Sequence, residues 1–214
     1  MIYISFDIGV KNLALCILKY EDTITILDWK IITLAETKKA VKNINELSEI
    51  IYMEMDSIIG NLRDAGYDII DFVLIENQPS NLNGVMKTVQ HIIYSYYNLL
   101  KYWDGLVKNV VLVNASLKLK NHTYQPISVV KNENCKKNFR RDKYKNNKQN
   151  SIEICREYIK RDPILLELFN SNKKKDDLSD SCLQTVSYIR NDIKGNKLTK
   201  LEEITLDPCN FIDV

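Results

Sequence analysis

Four acids in this chain lie where a metal-dependent phosphodiesterase site would need them. Asp7 interrupts the apolar run Ile2-Tyr3-Ile4-Ser5-Phe6-Asp7-Ile8, and Glu76 ends a second one, Phe72-Val73-Leu74-Ile75-Glu76. Asp177 and Asp180 stand three apart in Asp176-Asp177-Leu178-Ser179-Asp180-Ser181, so on a helix they share a face. A carboxylate at the end of a buried strand is costly unless it is paired, protonated or bound to a cation. Four that converge from three elements repel one another, and divalent metal supplies the missing positive charge. Oxygen ligands without His or Cys suit Mg²⁺ and Mn²⁺ rather than zinc.

Each piece has a plainer reading. A buried Asp in Asp7-Ile8-Gly9 can be satisfied by backbone amides of the next turn, and a strand-terminal Glu is often a solvated end. Acids at a helix start engage its dipole. Asp-x-Gly at a strand end also opens the first phosphate loop of sugar kinases and actin-like ATPases. That fold needs a second Gly-rich loop, and the six glycines here are not clustered. The four acids taken together favour metal chemistry.

The elements that must carry these acids can be read from periodicity. Strands are predicted at 2–8, 13–19 and 23–32, then a helix over 44–66 from Ile44, Leu47, Ile51, Met55, Ile58 and Leu62. A strand at 69–76, a helix at 85–103 and a short strand at 110–113 follow. Helices around 150–160 and from Asp177 to Ile189 close the pattern, joined by a polar link at 170–175. Three strands, helix, strand, helix, strand, then helices is the order of an RNase H-like α/β fold, with a mixed five-stranded sheet and flanking helices. Strands 1 and 4 would then be parallel neighbours that bring Asp7 beside Glu76. A length of 214 residues suits one domain, 1–214, with a basic loop at about 115–150.

That basic segment carries the charge. From Lys118 to Lys148 there are ten Lys or Arg against two acids, a local +8 in a chain whose total is +2. Tyr124, Phe139 and Tyr144 are interleaved with Lys118, Lys120, Lys136, Lys137, Arg140, Arg141, Lys143, Lys145 and Lys148. Lys-rich loops often serve solubility alone. Between two acid-bearing elements, this one reads as a cationic arm for nucleic-acid phosphates. Five cysteines without a CxxC pair are expected to be reduced thiols, and two histidines, His91 and His122, leave little for a His-centred site. No apolar stretch has the length of a membrane span. No signal or transit peptide is expected, and an intracellular location is.

Ser5-Phe6-Asp7-Ile8-Gly9-Val10-Lys11-Asn12, Leu74-Ile75-Glu76-Asn77-Gln78 and Lys174-Lys175-Asp176-Asp177-Leu178-Ser179-Asp180-Ser181 together resemble the Holliday junction resolvases of poxviruses and other large DNA viruses, relatives of RuvC and of the fungal mitochondrial enzymes. The resemblance implies a structure-selective endodeoxyribonuclease that cuts four-way junctions and other branched DNA in viral recombination and concatemer processing. It implies Asp7, Glu76, Asp177 and Asp180 as metal ligands, and Lys145 or Lys148 as the lysine near the scissile phosphate, with Lys118 or Lys120 next in line. Two Mg²⁺ ions per site, about 4 Å apart, with Mn²⁺ able to substitute, would clamp the attacking water and the leaving oxygen. A homodimer is implied too, because a four-way junction is two-fold symmetric. Viral relatives often carry Arg after the Glu, where this chain has Asn77. If the chain is viral, a cytoplasmic replication site is the expected location. The rival readings are an actin- or sugar-kinase-like ATP-binding protein and a non-catalytic DNA-binding module on an RNase H-like scaffold.

Overall fold

A computed structural model describes residues 1–41, 43–79, 84–120, 122, 136–193 and 204–206. Three strands come first: β1 (Ile2–Asp7), β2 (Leu13–Tyr20) and β3 (Ile24–Ile32). Helix α1 (Ile44–Asp64), strand β4 (Ile70–Glu76), helix α2 (Gly84–Trp103) and strand β5 (Val107–Val113) follow. Helices α3 (Lys136–Ile159), α4 (Pro163–Ser171) and α5 (Lys175–Ile193) lead to a short strand, β6 (Ile204–Leu206).

Among the described residues the sheet has six strands rather than the expected five, in the order β5-β4-β1-β2-β3-β6. β6 pairs in parallel with the edge strand β3 over only three residues, too short for period-two alternation to reveal. β1 is antiparallel to β2, as β2 is to β3, whereas β1–β4 and β4–β5 are parallel. The expected central pairing of the first and fourth strands is present, with Phe6 opposite Ile75. Asp7 and Glu76 therefore end adjacent strands at the same level.

Alternation along the strands builds a core on each face. Ile4, Phe6, Leu15, Ile17, Val73 and Ile75 pack under α1 and α2. Tyr3, Cys16, Leu18, Trp29 and Leu74 pack under α3, α4 and α5. Ser5 and Asp7 follow Tyr3 in period two, and Glu76 follows Leu74. Both strand-end acids thus face α5.

Two helical segments depart from expectation. The link expected at 170–175 is helical up to Ser171, because Asp162 caps α4 by accepting from the backbone N–H groups of Ile164 and Leu165, with Pro163 at its first position. The basic loop expected at about 115–150 is helical from Lys136 onward. The sequence of its first half has no apolar face to give a periodic signal, and among the described side chains of α3 those buried are Ser151, Ile154, Cys155, Tyr158 and Ile159. The side chains of Lys136, Lys137, Arg140, Arg141 and Lys143 lie outside the described residues. Among the described residues no helix is long and apolar enough to cross a membrane.

The turn after Asp7 is tight. A Cβ at Gly9 would collide with the backbone carbonyl of Asn12, whereas a Cβ at Gly60, exposed within α1, would meet nothing. Gly9→Ala is expected to cost about 1–3 kcal/mol of overpacking strain. Gly60→Ala should gain roughly 0.5–1 kcal/mol from helix propensity. Urea unfolding midpoints check both, and equal shifts in one direction would contradict this account of the turn.

Candidate active site

Asp7 reaches the α5 face of the sheet with its side chain 13% exposed, next to Glu76 on the neighbouring strand. Burial first, then the approach of Glu76, pushes the Asp7 carboxyl up to about 7 against the opposing pull of Lys118.

Glu76 is held from behind. The Gln78 side-chain amide donates to Glu76 Oε2 at 2.7 Å, and the Gln78 backbone N–H donates to Gln90 Oε1 at 2.7 Å. Lys87 adds its ammonium, donating to Gln78 O (2.9 Å), Gln90 Oε1 (3.1 Å) and Asn77 Oδ1 (3.1 Å). Where the resemblance leads one to expect an arginine after the Glu, a lysine from α2 therefore supplies positive charge.

The third element is α5. Asp177, Asp180, Gln184 and Ser187 form one stripe at three- and four-residue spacing. Gln184, fully buried, donates its amide to Ser5 Oγ (3.0 Å), Phe6 O (3.3 Å) and Leu74 O (3.3 Å). That clamp holds α5 against β1 and β4 next to their acids. On the other side Trp29 Nε1–H donates to Leu178 O at 3.0 Å. Burial raises the carboxyl of Asp180, against the pull of Lys118. Asp177 is pushed up to about 6 by burial, then by the charges of Asp176 and Asp7.

Lys118 occupies the middle. It follows a single 3₁₀ turn, Ala115–Leu117, whose cap Asn114 accepts from the Ser116 N–H at 2.9 Å. Its ammonium lies 2.6 Å from Asp7 Oδ1, 3.3 Å from Asp180 Oδ2 and 3.5 Å from Glu76 Oε1, and its side chain is 5% exposed. Burial alone would depress its pKa; the carboxylates of Asp7, Asp180 and Glu76 raise it instead. The other lysines are elsewhere. Lys148, on α3, is ion-paired with Asp176 and lies 5.1 Å above the Tyr144 ring, and Lys145 and Lys120 are exposed. Of the lysines considered from sequence, the structure brings only Lys118 among the acids.

The chemistry of this donor set fits a hard divalent cation: oxygen ligands, three of them already gathered round one positive charge. Among the described residues no three Asp, Glu, His or Cys side chains are gathered closely enough to hold one metal ion.

Raised carboxyls have a stability consequence. A carboxyl whose folded pKa exceeds the ordinary 3.8 favours the folded state below 3.8 and loses that contribution as pH rises toward the folded value. For Asp7 the window runs from about 4 to about 7. In EDTA the urea midpoint should fall between about pH 4 and about pH 7, and Asp7→Asn, which cannot ionise, should flatten the fall. A variant midpoint that drops as steeply as that of the wild type would contradict this assignment.

Similarity to known proteins agrees with this fold. Fowlpox virus resolvase, solved with Holliday junction DNA, is similar over 89% of this chain and 98% of its own, with a TM-score of 0.53 and 19% identity. The yeast mitochondrial Holliday junction resolvase Ydc2 covers 88% and 78%, with a TM-score of 0.56 and 14% identity. Thermus thermophilus RuvC covers 90% and 97%, with a TM-score of 0.54 and 12% identity. At these identities the likeness is one of fold, and it places the chain among RuvC-like, RNase H-like structures. An uncharacterized protein, L451 of Acanthamoeba polyphaga mimivirus, is 31% identical over 125 residues, 56% of this chain and 29% of that relative's length. The family described as Poxvirus A22 protein matches residues 1–192, and the chain belongs to it.

Proposed function

We propose that this protein is a structure-selective endodeoxyribonuclease that hydrolyses phosphodiesters in four-way junctions and other branched DNA. The observation that carries the reading is the convergence of Asp7, Glu76 and Asp180 on one cation, at adjacent strand ends and on the helix clamped over them. Family membership and the junction-resolving proteins of like fold support the substrate class. The ligands would be Asp7, Glu76, Asp177 and Asp180, holding two Mg²⁺ ions, or Mn²⁺ in their place, that activate the attacking water and stabilise the leaving oxygen.

The rest of the work falls to the chain's own groups. Gln78, with Lys87 behind it, holds the Glu76 carboxylate, and Gln184 fixes α5 over the strand ends. Lys118 is the lysine proposed near the scissile phosphate, in preference to Lys145 or Lys148. Once metal neutralises the carboxylates, its ammonium is free to stabilise charge developing on the phosphoryl oxygens. The basic segment, with Lys136, Lys137, Arg140, Arg141, Lys143, Lys145 and Lys148, would hold DNA backbone. A homodimer would present two sites to the two opposed strands of a junction.

The direct test is incubation with a labelled synthetic four-way junction and Mg²⁺. Asp7→Asn, Glu76→Gln, Asp177→Asn and Asp180→Asn should each abolish cleavage while junction affinity stays nearly intact. Lys118→Ala should slow single-turnover cleavage by about 10²–10³-fold, with Lys145→Ala close to wild type. Tight junction binding without any cleavage would instead favour the non-catalytic module.

A separate measurement addresses the basic segment. Neutralising Lys136, Lys137, Arg140 and Arg141 together should weaken junction binding. The slope of log K against log salt should flatten by roughly 0.9 for each DNA phosphate that the variant no longer neutralises. An unchanged slope would mean that these residues are merely solvated.

A further inference from the structure

We propose that His122, with Ser187 and Tyr158, forms a latch on the Lys118 main chain that keeps the ammonium aimed at Asp7, Glu76 and Asp180, making His122 a positioning residue of the site. The role in catalysis rests on the nuclease reading above; the latch itself does not. Lys118 lies beyond the end of β5 on a short turn held by Ser116 N–H to Asn114 Oδ1 and Leu117 N–H to Asn114 O, both at 2.9 Å, Lys118 N–H to Ala115 O at 3.4 Å and Lys120 N–H to Leu117 O at 2.9 Å. A lysine side chain carries about 2 kcal/mol of rotamer entropy, so a loose backbone beneath it would not deliver the ammonium to one place.

The His122 ring supplies the anchor. It is 7% exposed, with Nε2 2.6 Å from the Lys118 carbonyl oxygen and 3.0 Å from Ser187 Oγ, and Nδ1 3.1 Å from the Tyr158 hydroxyl. A carbonyl only accepts, so Nε2 carries the proton and donates it to Lys118 O. Nδ1 then has a lone pair and accepts from the Tyr158 hydroxyl. Ser187 Oγ donates to Lys120 O at 3.1 Å, which fixes the loop at a second carbonyl. A neutral imidazole is needed at both ring nitrogens, and burial, with Arg190 nearby, holds its pKa down to about 4.

The placement of these partners separates a latch from an ordinary core histidine. Two of the acceptors are main-chain carbonyls of the lysine-bearing loop itself. Ser187 is seven residues from Asp180 on the same face of α5, so one rigid helix sets both the acid and the loop that brings its counter-charge. Tyr158 adds α3, which packs against the same helix in the second core.

The test uses His122→Ala, His122→Gln and Ser187→Ala in the full chain. Gln places an amide N–H where the imidazole Nε2–H lies and can still donate to Lys118 O. In metal-free protein treated with an amine-acetylating reagent, Lys118 should be protected in wild type. It should react roughly tenfold faster in His122→Ala, as the loss of one buried hydrogen bond implies, and return to protection in His122→Gln. Lys108, far along β5, should react alike in all three.

In single-turnover junction cleavage, His122→Ala should be roughly 10- to 100-fold slower, as expected for a small displacement of a catalytic group, with junction affinity unchanged. Adding His122→Ala to Lys118→Ala should slow cleavage no further, because the histidine acts through the lysine. A Lys118 that stays protected in His122→Ala overturns the latch, as does a double variant slower than Lys118→Ala alone, or a failure of Gln to restore protection. If His122→Ala does not fold, Ser187→Ala decides: partial loss of protection supports the latch, and full protection overturns it. Absence of cleavage by wild type would sink the nuclease reading and leave the acetylation result to judge the latch.

Discussion

Negative charge packed at the end of a buried sheet has to be balanced, and the arrangement around it follows from how that is done. Two unit charges 4 Å apart at an effective dielectric near 20 interact by about 4 kcal/mol. The Lys118 ammonium lies 2.6 Å, 3.5 Å and 3.3 Å from carboxylate oxygens of Asp7, Glu76 and Asp180. Burial outweighs even this cation at Asp7, whose carboxyl is raised. The acids cannot be moved apart to relieve the repulsion, because two are fixed by strand pairing and the third by a helix pinned on both sides. Positive charge must therefore be brought in, from a lysine on a loop and, in the proposed reaction, from metal.

The pinning explains why α5 is buried all round rather than amphipathic. Its apolar residues Leu178, Cys182, Leu183, Val186 and Ile189 fill the second core, while Ser179, Ser181, Gln184, Thr185 and Ser187 are equally buried. Buried polar groups are tolerated when they are bonded. Ser179 and Ser181 bond back to the helix, Gln184 donates to β1 and β4, and Ser187 bonds the lysine loop, whereas Thr185 Oγ1 and Gln184 Oε1 are buried without a hydrogen-bond partner among the described residues. The helix thus gives up apolar burial for fixed position, which suits a part that must hold carboxylates to fractions of an ångström.

Charge is divided along the chain in a way that complements this site. The segment from Lys118 to Lys148 carries +8, and the remainder is acidic enough to bring the total down to +2. One lysine of that segment is drawn into the acidic centre, and a second, Lys148, pairs with Asp176 beside it. A polyanionic backbone would be repelled by bare carboxylates and attracted by the basic segment. In the proposed reaction, the two together would admit a phosphate only where cations offset the acids.

Much of this was legible in the residue order. The apolar runs that end in Asp7 and Glu76 marked two buried strands, and the order of elements made them parallel neighbours with their acids side by side. Three-residue spacing put Asp177 and Asp180 together on one helix. The apolar spacing of α1 and α2 located those helices to within a few residues. Such runs and spacings are local, and local backbone geometry alone decides them. The edge strand β6 was too short to show periodicity, and the first half of α3 had no apolar face to show it with. The place of Lys118 was decided only by the tertiary structure. It stands 111 residues from Asp7 and 62 from Asp180, and nothing near it distinguishes it from Lys145 or Lys148. What selects it is the end of β5 beside β4, and the loop bonds that turn its side chain back toward three carboxylates. Long-range charge balance of this kind is a property of the assembled fold, because the partners become neighbours only once the sheet and α5 have met.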